Sequence, residues 1–130
     1  MKIFGIVTDI VNIKRFEKKI IKNKSRFKKK IFSKNEIEYC EKKSNPYPFF
    51  AKRFAAKEAF AKALGTGICK NVNFKNIEIS NNKLGKPEIT LKGITSKFIN
   101  RKIRNKKYLI YLSLSDDLPW AQATVVICLK

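Results

Sequence analysis

Residues 49–68, FFAKRFAAKEAFAKALGTGI, constrain this chain more than any other stretch. Alanine is the strongest helix former, and its run here predicts a helix from Phe49 to Leu64. Gly65 supplies the left-handed residue on which helices end. One acid, Glu58, stands on that helix among Arg53, Lys57 and Lys62. Glu58 and Lys62 share a face at i,i+4, which as a plain salt bridge stabilises a helix by roughly 0.3–0.5 kcal/mol. A second isolated acid, Asp9, closes the apolar run MKIFGIVTD, read as a strand over residues 2–9. One carboxylate from a strand end and one from a helix can hold Mg²⁺, which retains much of its water and rarely needs a full protein cage. Lys62 would then neutralise charge on a leaving phosphate. The Gly65-Thr66-Gly67 turn reads either as a helix stop or as a phosphate contact, and it lacks the Gly-Lys-Ser/Thr ending of a Walker loop.

The chain has no histidine, so Ser/His and Cys/His catalysis and His-containing zinc sites are excluded. Cys40, Cys69 and Cys128 are widely spaced and odd in number, which predicts buried free thiols rather than a disulfide framework. At 130 residues the chain fits one domain, residues 1–130. It shows no secretory signal pattern and no bilayer-spanning run, so the expected location is the cytoplasm and no membrane partner is expected. The formal net charge of +20 attracts polyanions, although an abundance of Lys alone can raise charge without function.

Residues 12–24 predict a helix with Ile13, Phe16, Ile20 and Ile21 on its apolar face and Lys14, Arg15, Lys18, Lys19 and Lys22 outside it. Ser33-Lys34-Asn35-Glu36 fits a capping box that opens a short helix fading near Lys42-Lys43. Asn45-Pro46-Tyr47-Pro48 is a break before the long helix. Residues 74–80 and 88–91 predict a hairpin across the turn at 81–87. A basic helix follows at 94–105, with Ile94, Phe98, Ile99 and Ile103 as its apolar side. Residues 108–115 and 121–129 give two more strands, joined across Asp116-Asp117-Leu118-Pro119-Trp120. Helices interleaved with hairpins predict an α+β domain.

Four segments together resemble holo-acyl-carrier-protein synthase, the short form of the 4′-phosphopantetheinyl transferases. They are GIVTDIVNIKRFEKK at 5–19, RFAAKEAFAKALGTGI at 53–68, IEISNNKLGKPEITL at 77–91 and YLSLSDDLPWAQATVVI at 111–127. The resemblance implies that family's fold, an antiparallel sheet packed with helices, in a homotrimer with sites between subunits. It implies Mg²⁺-dependent transfer of 4′-phosphopantetheine from coenzyme A to a serine of apo-acyl carrier protein, releasing adenosine 3′,5′-bisphosphate, in fatty acid biosynthesis. It places Mg²⁺ on Asp9 and Glu58, and Lys62 on the coenzyme A phosphates. Arg53, Gly65, Thr66 and Gly67 would line the nucleotide site. Arg15, Lys22 and Arg26 would dock the acidic carrier. Glu58, or a water it orients, is the candidate to take the serine proton. The chain departs from the family pattern at Val7, a common glycine position, and at Asp116, where relatives often carry histidine.

Two other readings compete. Charge and size fit a small RNA-binding protein, but there is no RNP aromatic pattern, GXXG clamp or zinc knuckle, so no nucleic-acid partner is expected. A family member that has kept the fold and lost the activity would not need Asp9, Glu58 and Lys62 together, while Val7 leaves that reading open.

Overall fold

In the computed structural model, which covers residues 1–130, the N-terminal apolar run forms strand β1 (Lys2–Asn12). This corrects the expected strand of 2–9, since Asp9 lies inside β1 rather than at its end. Pairing is the reason: β1 runs antiparallel to the last strand, β5 (Trp120–Leu129), with Asp9 opposite Ala123 and Asn12 opposite Trp120. That ladder carries the extended backbone beyond the acid. β5 also pairs with β4 (Tyr108–Asp117), so the sheet order is β1-β5-β4 with β1 and β4 at its edges. A separate hairpin joins β2 (Ile77–Asn81) to β3 (Pro87–Leu91). Phe74, expected to open the first strand of this hairpin, instead lies before it in a short 3-10 turn. The architecture is α+β, as the pattern predicts.

Side chains alternate across a sheet. Val7, Val11, Ala123, Val125 and Ile127 turn to a core built on α3 (Tyr47–Leu64). The opposite face is uncovered, with Ile6 63%, Ile10 59% and Tyr111 46% exposed. Helix α3 can lie close on the sheet because its sheet-facing residues are small. At Gly5 an added Cβ would fall 2.0 Å from the Ala63 carbonyl oxygen, so β1 needs glycine there. Val7 sits in regular register opposite Val125, and the close approach belongs to Gly5 instead.

Helix α1 (Ile13–Ile31) follows β1 without a loop. Asn12 Oδ1 accepts from the Arg15 amide at 3.0 Å as its N-cap, and the Ile13 amide donates to the Pro119 carbonyl at 2.8 Å. Strand end, helix start and hairpin tip therefore meet in one corner. Ile13, Phe16 and Ile20 are buried as expected, but Ile21 is exposed. The helix also outruns its expected end at 24. Its turns resume beyond a break at Lys24 (φ 53°, ψ −142°) because Ile31 and Phe32 find burial. The Ser33–Glu36 capping box opens α2 (Lys34–Glu41). Helix α4 (Gly93–Lys102) stops before its expected end, where Arg104 and Asn105 turn left-handed, and Ile94 is exposed. Cys40 and Cys128 are buried, whereas Cys69 is exposed, contrary to expectation, in the loop after α3. No helix is long and apolar enough to cross a membrane.

Candidate active site

With 3.6 residues per turn, Arg53 and Lys57 lie roughly 140° around α3 from Glu58 and Lys62. The helix thus presents two charged faces to different neighbours.

The Glu58–Lys62 face looks toward β1. Lys62 Nζ lies 2.9 Å from Asp9 Oδ1, so its partner is the strand acid and not Glu58 as local spacing suggests. Glu58 is half-buried. Burial first, then the negative charge of Asp9, raises its pKa above the ordinary carboxylate value, with Lys62 opposing. Lys62 is raised in turn, chiefly by its hydrogen bond to Asp9. Asp9 on β1 and Glu58 and Lys62 on α3, 49 and 53 residues further along, are therefore one electrostatic group. Its two carboxylates supply hard oxygen donors, and the Lys62 ammonium already stands on Asp9 as a cation would. Two acids that raise one another's pKa repel unless positive charge intervenes, and Asp9 acts on Glu58 in that sense. The donor set fits Mg²⁺. No cluster of three or more His, Cys, Asp or Glu side chains exists to hold a metal more fully.

The turn after α3 serves first as a helix stop. Gly65 takes φ 95°, and the amides of Gly65, Thr66 and Gly67 donate back to the carbonyls of Ala61 and Lys62. These amides are not free to cradle a phosphate. Thr66 Oγ1 donates to the Gly67 carbonyl at 2.8 Å.

The other face of α3 holds two features that sequence reasoning missed. Lys57 is fully buried and donates to Glu36 Oε1 at 2.8 Å, the Phe74 carbonyl at 2.7 Å and the Ile77 carbonyl at 2.6 Å. Burial lowers its pKa below the lysine range, and Glu36 opposes that shift. Glu36 also accepts from the amides of Ser33 and Ile79. A capping glutamate thus doubles as a buried counter-ion, tying α2, α3 and β2 together. Arg53, expected at the nucleotide, is 2% exposed and lies away from Asp9. Its guanidinium stacks on Tyr39 at 4.1 Å, and Nη2 donates to Asn81 Oδ1 at 2.7 Å. Asn81 in turn donates to the Gly85 carbonyl in the β2–β3 turn at 3.0 Å. Arg53 Nε has no partner. No sequence signal pairs Arg53 with Asn81, because 28 residues separate them.

Arg15, Lys22 and Arg26 are exposed along α1. Of the three, Arg15 lies in the first turn of α1, nearest in sequence to Asp9. It lines a small cleft of about 170 Å³ at the β1–α1 corner with Ile10, Phe16, Lys19 and Phe54. Asp116 is engaged by Lys52 at 2.7 Å.

Residues 5–122 match the family described as the 4′-phosphopantetheinyl transferase superfamily. The holo-[acyl-carrier-protein] synthase of Chlamydia caviae is 56% identical over 77 residues, a stretch covering 59% of this chain and 63% of that protein's length. The crystal structure of holo-[acyl-carrier-protein] synthase from Neisseria meningitidis is 40% identical and superposes with a TM-score of 0.88, over 97% of this chain and 98% of that one. A Bacillus anthracis holo-(acyl-carrier-protein) synthase, solved in complex with CoA (3′,5′-ADP), is 34% identical with a TM-score of 0.79, over 98% and 97% of the two chains. The chain belongs to the 4′-phosphopantetheinyl transferase superfamily.

Proposed function

We propose that this protein is a holo-acyl-carrier-protein synthase, acting as one unit over residues 1–130. It moves 4′-phosphopantetheine from coenzyme A to a serine of apo-acyl carrier protein, releases adenosine 3′,5′-bisphosphate and so supports fatty acid biosynthesis. The observation that carries this reading is the convergence of Asp9 and Lys62 at 2.9 Å beside a half-buried Glu58 of raised pKa. Coenzyme A in the related Bacillus anthracis structure supports the donor.

Asp9 and Glu58 would hold Mg²⁺. The ion, when bound, supplies positive charge to the pyrophosphate oxygens and orients them. Glu58, or a water it orients, accepts the serine proton as the oxygen attacks phosphorus. Lys62 has about half of its side chain exposed, so its ammonium can turn from Asp9 to the departing bisphosphate. Arg53, with an unpartnered Nε and a guanidinium fixed by Tyr39 and Asn81, lines the nucleotide side, with the turn at Gly65, Thr66 and Gly67 as a further contact through its surface, since its amides stay bonded to α3. Arg15, Lys22 and Arg26 receive the acidic carrier, and the net charge of +20 steers it in.

Arg53 and Glu58 face different ways on one helix, which supports a site completed between subunits. The uncovered sheet face supports a homotrimer. Its rows Ile6–Val126–Tyr111, Thr8–Thr124–Ser113 and Ile10–Gln122–Ser115 are exposed or half-buried, and copies packing there would bury them.

Mass spectrometry of apo-acyl carrier protein incubated with this protein, coenzyme A and Mg²⁺ tests the reading. The expected result is a gain of one phosphopantetheine that EDTA prevents and that Asp9→Asn abolishes. An unchanged carrier mass, or a gain indifferent to EDTA, overturns it. Near-normal turnover of Glu58→Gln at saturating Mg²⁺ removes the proton-accepting role. A sharp monomer in sedimentation at working concentration removes the trimer.

A further inference from the structure

The far end of β1 from Asp9 carries a second cationic feature that phosphopantetheine transfer does not use. The seven steps from Lys2 to Asp9 span roughly 23 Å of strand. There the start of β1, the end of β5 and the turn after α4 come together around a cleft of about 340 Å³. Its lining is Lys2, Ile3, Phe4, Lys102, Ile103, Arg104, Lys106 and Leu129. Half of that lining is basic and half apolar. Lys107 and Lys130 extend the rim, joined by the Lys130 amide donating to the Lys107 carbonyl at 2.9 Å.

Three observations separate this end from the general positive surface. First, no acid occurs in residues 1–8, 93–115 or 118–130, and none of the cleft's cations takes part in any ion pair of the molecule. Helix α1, in contrast, carries Glu17 among its bases, and its Lys28 is paired with Glu41. Second, the basic turn holds two consecutive non-glycine residues in left-handed backbone, Arg104 at φ 56° and Asn105 at φ 59°. Such strain persists where surrounding structure enforces it, and the amides of Arg104, Asn105 and Lys106 are each tied back to α4 or its end. Third, apolar groups are exposed among the cations: Met1 is 85% exposed, and Ile3, at the outer end of the sheet face proposed for the trimer, is 59% exposed in the single chain.

Unpaired cations around exposed aliphatic side chains recognise an anionic amphiphile. Phosphate head groups meet the lysines and the arginine, and acyl chains meet Ile3 and Met1. Nucleic acid fits less well. The one aromatic ring of the cleft, Phe4, is packed against the core rather than presented for base stacking. We propose that this end of the molecule is a peripheral contact for bilayers containing anionic lipid, separate from the transfer site. No segment enters the bilayer as a span; the contact is with the head-group layer.

Co-sedimentation of the full chain with vesicles tests this. Vesicles of equal parts phosphatidylglycerol and phosphatidylcholine should retain the protein at low salt, and pure phosphatidylcholine should not. Replacing Lys102, Arg104 and Lys106 together by glutamine should weaken partitioning roughly a hundredfold, from about 1 kcal/mol for each basic residue. The same triple variant should keep wild-type melting and phosphopantetheinyl transfer. Replacing Lys14, Lys18 and Lys19 by glutamine removes equal charge from α1 and should change partitioning less than roughly fivefold, the effect of about one basic residue. Ile3→Ser should weaken vesicle binding and leave any binding to duplex DNA or RNA unchanged. Equal losses from the two triple variants would show a diffuse charge effect and overturn the proposal. So would binding to nucleic acid that outcompetes the vesicles through Lys102, Arg104 and Lys106, or no retention on anionic vesicles.

Discussion

Replacing Lys57 by methionine keeps the aliphatic stem beside the Phe32 ring and removes only the ammonium. Glu36 is then left with a buried carboxylate and two amide donors, from Ser33 and Ile79. The carbonyls of Phe74 and Ile77 each lose a donor as well. Removing one partner of a buried ion pair destabilises by about 3–5 kcal/mol, and the two amides that still serve Glu36 hold the expected value near about 4 kcal/mol. At about 2.1 cal/mol/K per residue, a chain of this length has an unfolding entropy near 0.27 kcal/mol/K, so Tm should fall by roughly 15 °C. Calorimetry and urea titration, both at one fixed protein concentration because assembly shifts apparent stability, measure the loss. Adding Glu36→Gln to Lys57→Met should recover about 2 kcal/mol, because the stranded charge disappears while an acceptor for the Ser33 and Ile79 amides remains. A single variant melting within about 3 °C of wild type, or a double variant no better than the single, refutes the view that charge pairing holds this corner.

Gly5→Ala should destabilise by about 3 kcal/mol or prevent folding, since its methyl would lie 2.0 Å from the Ala63 carbonyl oxygen; denaturant midpoints check this. A maleimide should add once to the native protein, at exposed Cys69, and three times after unfolding, because burial pushes the Cys40 thiol up to about 12 and Cys128 is shielded. Glu78 responds to pH in a set direction. Burial raises its pKa, but hydrogen bonds from Lys92 and Ser33 outweigh that and leave it below the ordinary 4.5. An acid depressed in the folded state contributes stability above its unfolded pKa and loses it as pH falls through the folded value. The stability difference between wild type and Glu78→Gln should therefore be largest above pH 5 and close as pH drops below about 4, which chemical denaturation across that range would record.

Local rules made the elements of this fold readable. Helix α3 announced itself through alanine and its closing glycine, and α2 through a capping box whose reciprocal bonds both form. Asp9 and Glu58 stood out as isolated acids in a basic chain, and Lys62 by its spacing from Glu58. What stayed hidden were partnerships across distance. Spacing assigns Lys62 to Glu58 four residues away, whereas the folded chain gives it Asp9, 53 residues away. Lys57 looked like one more surface lysine because Glu36 lies 21 residues upstream. The continuation of α1 past Lys24 was illegible for a related reason, since its second part is held by the burial of Ile31 and Phe32 rather than by a periodic face. Strand β1 ran long because β5 extends it.

The loopless junction at Asn12 and Ile13 makes α1 a lever clamped to the sheet. The backbone runs from Asp9 to Arg15 in six residues, with the Pro119 carbonyl and the Asn12 side chain bolting the bend. On the proposed docking, a carrier seated on the first turns of α1, before the break at Lys24, would be held at a set reach from the strand acid. A partner of the right charge but the wrong length would then present its hydroxyl out of range, so selection would work by measurement as much as by attraction.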